Sequence, residues 1–393
     1  MDAAPPVDAV IQAVNSLYHN PDPKVKEGAN KWLNQLQQSV FAWTISDQLL
    51  QRNVDVDTCY FAAQTMRTKI QYSFHEVPES AHASLRTSLM NHLTQLTSST
   101  RQVIKTQLCL AMADLILLMP EWNSALSELM GALGPPKPHT DALLEVLLLL
   151  PEEVDSRHLR LGANRRQQVK EMLSEGHSYI SQFLATVVTS NSQQVACIKC
   201  YSSWLTLGAI PLDSVLASPV MGLAVASLQA PHTPPDLHEV AADCVIALLA
   251  RLEREECKEL EVSTIQTITQ LAPCYQAAVA EEDMEKCLNL CRVFTELGES
   301  FLMKIVKSPP GQPHMSLPVL DIILMCCQHP DYEMPDVTFN LWYRLSEELY
   351  SLNNDELVTV FKPKIETLIN TLCRHCQIEP DTVNCFNFCN IFV

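Results

Sequence analysis

The stretch Asp57–Phe74 reads D-T-C-Y-F-A-A-Q-T-M-R-T-K-I-Q-Y-S-F. Cys59, Ala62, Ala63, Met66 and Ile70 fall at i, i+3, i+4, i+7 and i+11, the spacing of one apolar stripe on an α-helix. Tyr60, Gln64, Arg67 and Gln71 recur with the same kind of period on another flank, which predicts a polar face open to contact. Ala62 and Ala63 keep the stripe shallow, so a neighbouring helix can approach closely. A helix like this cannot bury its stripe alone, and the chain around it offers many partners of the same kind.

Upstream, Val7–Tyr18, Lys24–Gln38 and Ser39–Gln51 are predicted helices, closed by Asn20-Pro21 and other turn residues. Downstream come Ser80–Leu96, Arg101–Met119, Trp122–Leu133 and Asp141–Leu150, with stops at Pro78, Pro120 and the run G-P-P-K-P at Gly134–Pro138. The second half repeats the habit in Asn164–Thr189, Gln193–Leu207, Asp213–Leu228, Asp236–Arg254, Lys258–Ala280 and Asp283–Lys307. Leu317–Cys327, Asp336–Leu352 and Glu356–Cys376 complete the series. That is about seventeen helices, or roughly eight to nine hairpins of ~40–47 residues, the period of HEAT or armadillo solenoids. The hairpins are not alike in sequence, so the reading rests on helix spacing, and an irregular helical domain stays open as the alternative.

Composition agrees with an all-α chain. At 393 residues the chain exceeds one ordinary core, and 47% hydrophobic residues suffice for several. Nine glycines are few for the tight turns of an all-β protein, and most of the 24 prolines fall between apolar-periodic segments. A net charge of −18 repels phosphate, which argues against direct nucleic-acid binding and suits basic protein partners. The N-terminal M-D-A-A-P-P has neither the basic nor the apolar region of a signal peptide. The longest apolar runs, Leu108–Met119 and Ala142–Leu150, are interrupted by Asp114 and Glu145 and fall short of the ~20 residues a membrane span needs. A soluble, intracellular protein is expected, with its 15 cysteines as free thiols in the core.

Nucleotide-binding, zinc-protease and hydrolase motifs are missing from the sequence, so neither an enzyme nor a cofactor is expected. Cys197-x-x-Cys200 has metal-ligand spacing, as does Cys373-x-x-Cys376 followed by Cys385 and Cys389 with His375 nearby. Cys197 and Cys200 share a helical stripe with Trp204 and Leu207, and Cys376 one with Val358, Phe361, Ile365, Leu368 and Leu372. Packed thiols, not a metal site, are therefore expected. Arg157, Arg160, Arg165 and Arg166 form one basic patch in an acidic chain. They are candidates for contact with an acidic or phosphorylated partner, because guanidinium forks match carboxylate and phosphate. The alternative is a solvated loop with ion pairs to Glu152, Glu153 and Asp155. Acidic runs at Glu253–Glu261 and Ala280–Glu285 are read as turn surfaces. Asp114 sits inside an apolar run, where it either pairs internally or faces an open wall.

The strings Y-F-A-A-Q-T-M (Tyr60–Met66), L-P-E-E-V-D-S-R (Leu150–Arg157), L-R-L-G-A-N-R-R (Leu159–Arg166) and C-R-V-F-T-E-L (Cys291–Leu297) closely resemble karyopherin-β import receptors of the transportin-SR branch. W-Y-R-L-S-E-E-L-Y (Trp342–Tyr350) and R-H-C-Q-I-E-P (Arg374–Pro380) do so too, and the match runs in order from about Val10 to Pro380. The resemblance implies a right-handed HEAT solenoid shuttling between cytoplasm and nucleus through nuclear pores. Its partners would be Ran in the GTP form, nucleoporins, and serine/arginine-rich splicing factors as cargo. By helix position it implies Ran contacts at Tyr60, Gln64, Arg67 and Gln71, with Gln107 and Asp114 on the next pair. It divides the chain into Ran-binding repeats at 1–120, further repeats at 121–380 and a divergent tail at 381–393. Receptors of this family are much longer, and their arginine-rich helix for phosphorylated cargo has no counterpart here. The tail Asp381–Val393 stops resembling them, as a truncated or alternatively spliced end would. A solenoid cut mid-array exposes an apolar end face, so lower stability or self-association is expected. A HEAT scaffold without Ran dependence, and more remotely a metal-dependent enzyme, stay open as other classes.

Overall fold

The computed structural model describes residues 3–135, 138–309 and 311–376. The tail Asp381–Val393 lies outside them. Among the described residues every regular element is helical. They divide into two compact units: the residues up to Val187 with Lys199–Ala209, and Val188–Ile198 with the described residues from Ile210 onward.

The first unit opens with α1 (Val7–His19), α2 (Pro23–Gln38), α3 (Ala42–Arg52) and α4 (Val56–Ser73). It continues with α5 (Glu79–Thr94), α6 (Gln102–Leu118), α7 (Ala125–Leu133), α8 (Thr140–Val154) and α9 (Ala163–Val187). The boundary between the units passes through α10 (Gln194–Leu207). Helices α3 and α4, α5 and α6, and α7 and α8 pair as hairpins. Their second members stack in the row α4–α6–α8, and their first members form the looser row α3–α5–α7. Contact with the hairpin partner and the adjoining hairpins only is the packing of a solenoid.

Local chemistry sets the ends of these helices. Asp55 caps α4 by accepting from the Thr58 backbone N–H and hydroxyl, both at 2.8 Å. Asn53 ends α3 in the left-handed conformation, φ 45°. The predicted stripe of α4 is wholly buried: Cys59, Ala62, Ala63, Met66 and Ile70 are each at most 4% exposed. Helix α6 is apolar almost all round and lies between α4 and α8, buried from both sides.

Pro151 lies inside α8 and has no N–H to offer the carbonyl of Leu147, four residues earlier. Trp204 of α10, itself fully buried, donates its indole N–H to that oxygen at 2.8 Å, and Ser203 donates to the neighbouring carbonyl of Leu148 at 2.8 Å.

The second unit contains α11 (Pro219–Gln229), α12 (Pro235–Arg254), α13 (Lys258–Thr269), α14 (Ala272–Ala280) and α15 (Met284–Ser300). It ends with α16 (Leu302–Lys307), α17 (Val319–Cys327), α18 (Glu333–Leu352) and α19 (Asp355–His375). Here α12, α15 and α18 form the tight row, each paired with a helix beside it in the chain. Of the expected helices, Asp213–Leu228 becomes α-helical only from Pro219, after a 3-10 turn at Leu212–Ser214, and two others are each divided in two. Lys258–Ala280 divides into α13 and α14, because Pro273 lacks an N–H and its ring crowds the carbonyl four residues back. Asp283–Lys307 divides into α15 and α16 at Phe301, which leaves helical geometry (φ −105°, ψ 8°) with its ring fully buried. The all-α class and the stacked antiparallel hairpins expected from helix spacing are observed within each unit.

Candidate functional site

The polar flank read from α4 meets the α4–α6–α8 row at one cluster. Arg67 of α4 points its Nε toward Asp114 Oδ2 of α6 at 3.6 Å, and its Nη2 toward Glu153 Oε1 of α8 at 3.6 Å. Three successive helices of one layer thus each contribute a charged group. Asp114 is fully buried, while Arg67 and Glu153 keep 22% and 13% of their side-chain surface at the rim. The 3.6 Å separations are ion-pair distances and too long for hydrogen bonds. Both Asp114 oxygens, Glu153 Oε2, Arg67 Nε and Gln71 Nε2 are buried without a hydrogen-bond partner. Burial pushes the Asp114 carboxyl up to about 7, and the charge of Glu153 adds to the rise. Arg67, and to a smaller extent Gln71, oppose it.

The structure therefore brings together Arg67, Gln71 and Asp114 from the sequence candidates and answers the question left open for Asp114: it pairs internally. Glu153 is the member the sequence reading assigned elsewhere, to the arginine patch. No local pattern marks it, because only the stacking of α8 on α6 brings it to Arg67. Tyr60 lies half-buried near Tyr18 of α1, whose hydroxyl is pushed up by burial and then by Tyr60 and Asp57. Gln64 is exposed on α4, and Gln107 is half-buried about two turns before Asp114 on α6. These three do not join the charged cluster.

The four arginines separate into two pairs. Arg165 donates through Nε to the Leu117 carbonyl at 2.8 Å and through Nη2 to Ile116 at 3.0 Å and Met119 at 3.2 Å. These carbonyls belong to the C-terminal end of α6, where the helix supplies no N–H of its own. Arg166 donates to the carbonyls of Val154, Ser156, Leu159 and Leu161, fastening the turn between α8 and α9. Arg157 and Arg160 are exposed. Of the acidic neighbours, Asp155 pairs with Arg166 at 3.7 Å and Lys170 at 3.2 Å.

In the second unit, an apolar cleft of about 260 Å³ opens between α11, α12 and α13, lined by Met221, Val225, Leu248, Leu260 and Ile268 among others. Glu261, from one acidic run, is buried and pairs with Lys304 at 2.6 Å and His314 at 3.3 Å. Cys197 and Cys200 are fully buried in α10, as expected of packed thiols, whereas Cys376 is not packed as its stripe predicted: it and Cys373 are exposed at the end of α19, and Cys385 and Cys389 lie outside the described residues. Among the described residues no cluster of three His, Cys, Asp or Glu side chains has the geometry to hold a metal ion. Among them, too, no helix is long and apolar enough to cross a membrane.

Three family models match in succession along the chain. They are the Importin-beta N-terminal domain at residues 29–114, the Exportin 1-like protein at 101–245, and the Transportin-3/Importin-13 second TPR domain at 282–375. Transportin MOS14 of Arabidopsis thaliana is 26% identical over 95% of this chain and 41% of its own length. Importin-13 of Homo sapiens is 26% identical over 96% of this chain and 41% of its own. The chain thus spans about two fifths of the length of these relatives. A solved structure concerning Kap95p and the switch loops of RanGDP aligns with 93% of this chain and 58% of that chain, at a TM-score of 0.41 and 14% identity. The chain is thus similar to importin-13/transportin-like karyopherins at about 26% identity, a similarity that does not single out the transportin-SR branch.

Proposed function

We propose that the chain is the N-terminal portion of a nuclear import receptor of the transportin-SR branch and binds Ran in its GTP form through its first hairpins. The observation that carries this reading is the match of residues 29–114 to the Importin-beta N-terminal domain, which spans Tyr60, Gln64, Arg67, Gln71, Gln107 and Asp114. Residues 1–120 are then the Ran-binding repeats, 121–380 further repeats of the array, and 381–393 a divergent tail. Gln64 and the rim of Arg67 are the accessible part of that face, with Tyr60 beside them toward α1.

Arg157 and Arg160 offer guanidinium forks to an acidic or phosphorylated partner. The cleft between α11, α12 and α13 suits a short apolar segment, such as a nucleoporin would have to present. Serine/arginine-rich splicing factors are the proposed cargo of the complete receptor. The protein is read as a carrier moving between cytoplasm and nucleus, with no catalytic role.

The test is binding of the purified chain to Ran loaded with GTP or with GDP. A strong preference for the GTP form is the expected result. Equal binding to both forms, or none even when the chain is extended to the length of its relatives, leaves a HEAT scaffold without Ran dependence.

A further inference from the structure

The cluster at α4, α6 and α8 is unbalanced in charge. Two carboxylates, Asp114 and Glu153, face one guanidinium, Arg67, and five of their polar atoms, counting Gln71 Nε2, are shut from water without a hydrogen bond. Fully ionised, it would hold one uncompensated negative charge in a closed space, which is costly. Two carboxylates in one such site do not ionise independently. Among the described residues, Lys199 of α10 lies on the side of Glu152, whose carboxyl is pushed up by burial and by Glu153 and held back by that lysine, and no ion pair joins a second cation to Asp114 or Glu153. On α5, which also packs on α6, His82 pairs with Glu121 and Arg86 with Glu128. Elsewhere on α8, Glu145 accepts from Gln102 and Thr106, well before Asp114 along α6.

We propose that Asp114 holds a proton beside Glu153, and that this proton controls how Arg67 is presented at the surface. With Asp114 charged, the guanidinium is drawn down toward the buried carboxylate. With Asp114 protonated, only Glu153 at the rim holds it, and Arg67 turns outward, where a carboxylate or phosphate of a partner chain can engage its fork. The proton moves between solvent and the Asp114 carboxyl, so no further reactant is required. This makes the polar face of α4 a proton-regulated contact surface. It rests on reading that face as a partner site, but both the proton and the guanidinium can be followed on the chain alone.

The test is nuclear magnetic resonance of the whole chain with labelled Asp carboxyl carbons and Arg Nε–H groups, titrated between about pH 5 and pH 9. Comparison with D114N and R67K assigns the two signals. Asp114 is expected to titrate close to neutrality, and the Arg67 Nε–H signal to move with the same midpoint and to stay fixed in D114N. E153Q is expected to lower the Asp114 midpoint, because it removes a neighbouring negative charge, and R67M to raise it. An Asp114 that is ionised throughout this range overturns the proposal. So does an Arg67 signal that ignores the Asp114 titration, or a midpoint that E153Q leaves in place. D114N and E153Q are near-isosteric, so the sign of the E153Q shift remains measurable if R67M does not fold. Failure of Ran to bind bears only on the proposed function, because no partner enters this measurement.

Discussion

Trp204 donates its indole N–H at 2.8 Å to the carbonyl of Leu147, an oxygen that α8 itself leaves without a donor because Pro151 stands four residues later. The bond joins α10 to α8 at the point where Pro151 leaves α8 one backbone donor short. Trp204→Phe is expected to orphan that buried oxygen and to cost about 1–3 kcal/mol, beyond any loss of packing. In a Pro151→Ala background a backbone N–H is restored to compete for the same oxygen, so the cost should fall. A double-mutant cycle by denaturant unfolding checks the coupling. Equal costs in both backgrounds would show that the two residues act separately.

Asp114 gives a signed pH dependence. Its carboxyl sits at about 7 in the folded chain against 3.8 for the ordinary group, so between those values the native state binds more protons than the unfolded one. Stability must then fall as pH rises through that window and stay at its lower level above it. Asp114→Asn removes the dependence. The variant should match the parent most closely in acid and gain on it steadily up to neutral pH. Melting temperatures of both proteins across a pH series decide this, and a constant difference would mean that Asp114 is not raised.

Two glycines should respond oppositely to alanine. A Cβ on Gly298 of α15 would meet Ile323 Cδ1 at 3.0 Å and Leu341 Cδ2 at 3.1 Å, from α17 and α18. Gly298→Ala is expected to overpack this junction and cost about 1–3 kcal/mol. Gly28 lies exposed within α2, and a Cβ there meets nothing within 4 Å. Gly28→Ala should stabilise by about 0.5–1 kcal/mol, the ordinary helix preference for alanine. Chemical denaturation of both variants is sufficient to check the contrast.

The spacing of Cys59, Ala62, Ala63, Met66 and Ile70 was enough to orient α4, because burial of a helical stripe depends on local periodicity. The break at Phe301 had no comparable signal: the nearby Gly298 stays inside α15, and the break goes with the burial of one aromatic ring against its neighbours. The polar flank of α4 was legible for the same reason as the stripe. That Glu153 would close the cluster was not, since it comes from a helix two hairpins later and only stacking brings it to Arg67. Arg165 and Arg166 looked like surface charge because a run of arginines carries no mark of what lies beneath it. The acceptors of Arg165 are carbonyls 46–49 residues earlier, at a helix end whose position the sequence gives only approximately.

That division of the arginine patch yields a prediction separating structure from recognition. Arg165 holds three carbonyls at the end of α6, and hydrogen bonds from a charged donor are worth about 1.5–3 kcal/mol. Arg165→Met should therefore destabilise the first unit by about that amount, lowering the melting temperature whatever partner is present. Arg157 and Arg160 are exposed, so Arg157→Ala and Arg160→Ala should stay within about 0.5 kcal/mol of the parent. If these two meet an acidic or phosphorylated partner, the double variant loses binding to a phosphorylated serine/arginine peptide while its melting temperature holds. Loss of binding in step with loss of stability would instead make the whole patch a structural fastening of the α8–α9 turn, with no contact role.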